Sequence, residues 1–194
     1  MNRFHDARIV VFVFLVLFLG LMPTMSAQAQ NDSGPYLGLG FALGFEQFDG
    51  TGGLDFDEGL GFSAWGGYRF IDFVAAELQI EYLDRFDTSI FGVNVDVQAF
   101  GVTINGKVYP LVRVLPELIQ PFVVAGFGIG WVEIDAGFFG TEDETGLIGR
   151  FGGGLEVSAT EHLVILARAT YVVTADEIED LDWVSVVLGL QYAF

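Results

Sequence analysis

Eight short runs of this 194-residue chain alternate apolar residues with small or polar ones at period two. That alternation constrains the fold more than any other feature. A helix repeats its apolar face every 3.6 residues, whereas a strand does so every two. The last run, 184–194 (VSVVLGLQYAF), places Val184, Val186, Leu188, Leu190, Tyr192 and Phe194 on one face. Ser185, Val187, Gly189, Gln191 and Ala193 lie on the other. Something apolar must cover the first face.

The other runs repeat the pattern. Residues 36–46 put Leu37, Leu39, Phe41, Leu43 and Phe45 opposite Gly38, Gly40, Ala42 and Gly44. Residues 61–70 put Phe62, Ala64, Tyr68 and Phe70 on one face, and 73–82 alternate Val74, Ala76, Leu78, Ile80 and Tyr82 with Glu77, Gln79 and Glu81. In 99–109, Phe100, Val102, Ile104 and Val108 oppose Thr103, Asn105 and Lys107. Val93, Val95 and Val97 upstream have the opposite parity, which predicts a bulge or a hairpin extension there. Runs at 121–131, 146–157 and 163–173 complete the set.

Runs of about ten residues match membrane-crossing strands, which need about 9–11 residues when tilted. The connectors at 70–72 and 158–162 are short, and 109–117 is a longer, proline-bounded exception. Those at 48–60, 83–96, 133–145 and 174–182 are longer and acidic. Short turns on one side and long loops on the other predict an outer-membrane topology with both chain ends in the periplasm. A soluble lipocalin-like barrel would have the reverse polarity, a polar outside and an apolar cavity. Here the bulky apolar face is the one opposite Gly, Gln, Glu, Lys and Arg, so lipid is the expected outer solvent. Tyr68, Tyr82, Tyr109, Trp131, Tyr171, Tyr192 and Phe194 fall near run ends, as an interfacial aromatic girdle would.

The N-terminus reads as a secretory signal. Arg3 and Arg8 precede an apolar run at 9–22, and Ala27-Gln28-Ala29 supplies the small-residue cleavage site. At 14 residues the run is short of the ~20 that a membrane-spanning helix needs. The chain contains no cysteine, which excludes disulfides, a lipoprotein anchor and thiol chemistry. Of 8 basic and 26 acidic residues, removing Arg3, Arg8 and Asp6 leaves 6 and 25, a net charge of −19. Polyanions would be repelled, so nucleic acid is not an expected partner. A mean hydropathy of +0.51 beside such acidity requires that charge and apolar surface be segregated.

Three segments resemble the small outer-membrane β-barrels typified by the transmembrane domain of outer membrane protein A. Residues 64–84 (AWGGYRFIDFVAAELQIEYLD) look like that family's second and third strands, and 152–173 (GGGLEVSATEHLVILARATYVV) like its sixth and seventh. The terminal Tyr192-Ala-Phe194 resembles the C-terminal signal read by the outer-membrane assembly machinery. The resemblance stops at Phe194 and does not reach the peptidoglycan-binding domain of the type protein, so cell-wall tethering is not expected from it.

Run-by-run parity puts eight charged side chains inside the barrel: Glu46, Arg69, Glu77, Glu81, Lys107, Arg150, Glu156 and Arg168. That is four acids against four bases, as burial requires, since an unpaired buried ion costs several kcal/mol. The resemblance implies that Glu77, Lys107, Glu156 and Arg168 form an interior salt-bridge network, with Glu156 and Arg168 expected to be partners. Eight strands leave an interior just filled by side chains, so a wide channel is not expected.

Enzymatic function is not expected either. Barrel enzymes of this membrane need a catalytic His near the outer rim. His5 belongs to the signal, and His162 sits in a periplasmic turn without a nucleophile beside it. The outer loops carry seventeen carboxylates against Arg85 alone. None has the spacing of a calcium hand, so no specific metal site is expected. Diffuse divalent-cation candidates are Glu142, Asp143, Glu144, Asp176, Glu177, Glu179, Asp180 and Asp182.

The sequence therefore predicts an all-β fold: an eight-stranded antiparallel up-and-down transmembrane β-barrel at 30–194, after a signal peptide at 1–29. The expected protein is monomeric and sits in the outer membrane of a Gram-negative bacterium. No cofactor is expected beyond loosely bound divalent cations. Its expected partners are outer-membrane lipid, lipopolysaccharide and the assembly machinery, and its role is structural or interactive at the cell surface. A narrow porin-like channel is the alternative, and a lipid A-modifying enzyme a remote third.

Overall fold

In the computed structural model the eight runs form strands β1 (Gly34–Glu46), β2 (Gly59–Ile71), β3 (Val74–Ile90), β4 (Val93–Val108), β5 (Ile119–Asp135), β6 (Thr141–Ser158), β7 (Leu163–Thr174) and β8 (Trp183–Ala193). The structure describes residues 33–46, 59–90, 93–112, 114–116, 118–135, 141–175, 178 and 182–194. At 46, 85–90, 93–97, 134–135 and 141–143 it describes the backbone alone. The expected signal peptide lies outside the described residues. Among the described residues no helix is long and apolar enough to cross a membrane.

Each strand pairs antiparallel with its sequence neighbour, and β1 closes onto β8. Closure leaves no strand edge, which is what lipid demands of a sheet. The connections at 72–73, 109–118 and 159–162 lie at one end with the terminal strand ends, here called the turn end; the other four connections lie at the opposite, loop end.

The two faces are as different as the alternation requires. Leu39 and Phe127 point outward with 70% and 72% of their surface exposed. Directly opposed aromatic pairs Phe41–Phe62, Phe100–Trp131 and Phe151–Tyr171 stitch the outer face, with ring centroids 5.4–5.5 Å apart. The inward face carries glycines, hydroxyls, amides and charges.

Three details differ from the sequence reading. The acidic segments expected as connectors at 83–96 and 133–145 are mostly strand, because the β3–β4 and β5–β6 hairpins continue to Ile90 and Val93 and to Asp135 and Thr141. The register break expected near Val97 is present, but the extra residue is in β3. Asp84 and Arg85 together oppose Gln98, between the pairs Leu83–Ala99 and Phe86–Val97. Tyr109 is not part of the lipid-facing girdle. It follows the outward-facing Val108, so its parity is inward, and it is 1% exposed inside the barrel.

Candidate functional site

Inward parity from five strands brings seven of the eight expected lumen charges together. Each of Arg69, Glu77, Glu81, Lys107, Arg150, Glu156 and Arg168 is buried. The eighth, Glu46, has no described side chain, so the described lumen holds three carboxylates and four cations rather than four of each.

The network has two linked parts. Nearest the turn end, Glu156 (β6) accepts from Lys107 Nζ (β4) at 2.5 Å, from the Tyr109 hydroxyl at 3.1 Å and from Arg69 Nη2 (β2) at 3.2 Å. Arg69 also donates to Gln120 Oε1 at 2.9 Å, and its guanidinium lies 4.0 Å over the Tyr109 ring. Lys107 reaches Glu77 Oε2 (β3) at 3.6 Å, so it joins the two carboxylates. Arg168 Nη1 (β7) sits 2.6 Å from Glu77 Oε1 while donating its hydrogen bond to Gln79 Oε1, also at 2.6 Å. Glu77 Oε1 is thus held by charge without an aligned hydrogen bond. Glu156 and Arg168 are therefore not partners, contrary to expectation. Lys107 and Glu77 stand between them.

Deeper in, Arg150 clamps Glu81 with both terminal nitrogens, at 2.9 and 3.0 Å, and donates to Thr170 Oγ1 at 3.2 Å. This bidentate fork is the strongest geometry an ion pair offers. Gln79 Nε2 donates to Glu81 and to Ser63, which connects the Arg168 and Arg150 clusters. Carboxylates come from β3 and β6, and cations from β2, β4, β6 and β7, so the pairs tie strands across the barrel as well as along it.

Sequence reasoning missed the uncharged half of this site. Tyr36 donates to Glu77 at 3.2 Å, Trp65 donates to Gln191 at 2.9 Å, and the Phe122 ring lies 4.2 Å from Lys107 Nζ. Parity would have found all of them, because they alternate with outward Leu37, Ala64 and Val123.

Toward the loop end the lumen turns apolar. Leu83, Ala99, Val132, Ile148, Val172 and Trp183 follow the last charged layer along their strands, and all are buried. Ile178, from the β7–β8 connection, is 0% exposed and seats against Gly130 and Gly146. A Cβ on Gly130 would lie 3.3 Å from its Cδ1, so glycine makes room for this side chain. At the turn end a recess of about 40 Å³, lined in part by Arg69, Gln120, Glu156 and His162, has room for a few water molecules.

The remaining expected residues are placed as follows. Tyr192 and Phe194 face outward at the turn end, their rings 5.0 Å apart. His162 stacks on Tyr192 and lies 3.1 Å from the Ala193 carbonyl. Asp182 accepts from Thr174 N at 2.8 Å, Thr174 Oγ1 at 3.0 Å and the Tyr171 hydroxyl at 2.9 Å, so it is occupied at the base of the β7–β8 connection. Glu144 is half-exposed. Glu142 and Asp143 have no described side chains, and Asp176, Glu177, Glu179 and Asp180 lie outside the described residues. Among the described residues no three acidic or histidine side chains converge as a metal site would require.

Residues 14–194 match the family model described as outer membrane protein beta-barrel domain. The fold is also similar to several solved structures. Neisserial surface protein A (NspA) is 12% identical with a TM-score of 0.67, over 84% of this chain and 99% of that one. OprG from Pseudomonas aeruginosa is 18% identical with a TM-score of 0.59, over 86% and 99%. Ail, the attachment invasion locus protein of Yersinia pestis, is 19% identical with a TM-score of 0.58, over 83% and 99%. These likenesses show the fold. No curated protein sequence matches the chain.

Proposed function

The chain belongs to the family of outer membrane proteins built on this β-barrel domain and sits in the outer membrane of a Gram-negative bacterium, where we propose that it serves as a sealed scaffold presenting its outer loops. The observation that carries this reading is the filled lumen. Buried ion pairs occupy its turn-end half, and an apolar layer capped by Ile178 follows toward the loops. A conducting path would have to break several of those pairs and wet the apolar layer at once.

The mature chain on this reading spans 30–194, after a cleaved signal at 1–29. It acts as a monomer among lipid and lipopolysaccharide, and Tyr192 and Phe194 present its assembly signal. One solved structure of Ail holds the heparin analogue sucrose octasulfate. Seventeen carboxylates in the loop-end connections and the strand ends beside them, against Arg85 alone, make a polyanion a poor ligand here. The loops instead fit cationic partners, or divalent cations bridging them to lipopolysaccharide phosphates.

Planar-bilayer recording of the refolded protein tests the scaffold. Little or no stable conductance is expected, and large steady openings would replace this reading with that of a narrow channel.

A further inference from the structure

The connection between β4 and β5, residues 109–118 (YPLVRVLPEL), is longer and more apolar than a periplasmic turn needs to be. Val114 N and Leu115 N both bond the Leu111 carbonyl, at 2.9 and 3.0 Å, which coils the segment through a helical turn. Leu111, Val114 and Leu115 thereby share a side. Val112 turns the other way and packs on the buried core, which fixes the orientation of the segment. Val114 is 75% exposed and Leu118, in the next turn, 54%.

The neighbouring β2–β3 turn continues this surface. Tyr109 N bonds the Phe73 carbonyl at 3.0 Å, and Phe70, Ile71 and Phe73 are exposed beside it. The β6–β7 turn across the barrel reads Ala159-Thr160-Glu161-His162 and offers nothing comparable. The turn end is therefore lopsided, with an apolar shoulder under β2–β5 and a polar rim under β6–β7.

We propose that this shoulder is embedded in the phospholipid of the inner leaflet, seating the barrel deeper on its β2–β5 side. The occupant follows from continuity. Outward-facing Val108 at the end of β4, and Ile119 and Val123 at the start of β5, carry the lipid-facing surface without a break into the turn. Contiguous apolar surface of this kind is rare where water is the solvent. Amphipathic segments at a membrane boundary bury their apolar side about 5–10 Å into the headgroup–acyl region.

The absence of cysteine makes the test direct. Val114→Cys, Val123→Cys and Thr160→Cys each carry one spin label in protein reconstituted into phosphatidylethanolamine–phosphatidylglycerol vesicles. Accessibility to oxygen and to a water-soluble nickel chelate is then read at each site. The oxygen-to-nickel ratio at 114 should approach that at the lipid-facing 123 and exceed that at 160 several-fold. A ratio at 114 equal to that at 160 overturns the proposal. Exposure to nickel in vesicles, combined with protection from both reagents in native outer membranes, also overturns it and assigns the shoulder to a protein partner. Leu118→Cys gives the same reading should the first variant not fold.

Discussion

Glu156→Ala removes a carboxylate that three buried donors share. Arg69 would keep Gln120 at 2.9 Å, whereas Lys107 would retain Glu77, at 3.6 Å, as its one remaining carboxylate among the described residues, beside the Phe122 ring at 4.2 Å. Lys107 is 0% exposed, so most of the loss falls on an ammonium held out of bulk solvent. Breaking a buried pair from one side costs roughly 3–5 kcal/mol. Adding Lys107→Ala removes the stranded charge, and Glu77 still keeps Arg168 at 2.6 Å. The double variant should therefore be more stable than the sum of the singles by about 1–3 kcal/mol. Glu156→Ala with Arg168→Ala should couple less, since those side chains act on each other only through Lys107 and Glu77. Urea unfolding of the reconstituted barrel, followed by tryptophan fluorescence, measures both cycles; Trp65 and Trp183 are buried within the barrel and report its opening. If the Glu156–Lys107 pair is additive within about 0.5 kcal/mol, or the Glu156–Arg168 pair couples more strongly, the network is drawn wrongly.

Deleting Phe194 should leave periplasmic, protease-sensitive protein, and a heat-modifiable band of normal intensity in the outer membrane would refute its role in assembly. Gly128→Ala places a Cβ against the Val102 carbonyl and 2.8 Å from Thr103 Cα, so it should destabilise by about 1–3 kcal/mol. Gly106→Ala, whose nearest neighbour would be the Ala125 carbonyl at 3.9 Å, should stay within about 0.5 kcal/mol in the same urea assay. Calcium at about millimolar concentration should slow proteolysis at 142–144 and 176–182 of protein reconstituted with lipopolysaccharide. Equal cleavage rates with calcium and with chelator would rule out bridging by divalent cations.

The alternation made the barrel legible, because each strand faces two different solvents and must declare both in its side chains. What it could not convey is distance. Parity says that Glu156 and Arg168 both point inward, but which cation reaches which carboxylate depends on how far neighbouring strands are staggered. That stagger follows from closure of the whole sheet. Tyr109 failed for a narrower reason: it sits one step past the last paired residue of β4, where an aromatic at a run end reads as girdle unless its parity is counted. The break near Val97 was visible as a parity change, yet a bulge belongs to a pair of strands. Only the register shows that β3 holds the extra residue, with Asp84 and Arg85 together opposite Gln98.

Why the lumen should be charged at all follows from the same two-solvent logic. An apolar interior would pack as well, and buried ion pairs often do no better for stability than well-packed hydrophobic residues. A strand apolar on both faces, however, has no preferred side. A one-residue slip in its pairing would exchange lumen and lipid faces without penalty. With Lys107, Arg150 and Arg168 inside, the same slip drives a cation into the acyl region, at roughly 2–4 kcal/mol for each at the bilayer midplane. These residues lie on β4, β6 and β7, and their carboxylates on β3 and β6, so the penalty guards the register of the central and later strands together. Strand β1 carries no described charge. Its inward glycines Gly38 and Gly40 lie instead against Trp65 and β8, so β1 and the equally uncharged β8 pair by shape, while β2 on the other side brings Arg69 to the charge network.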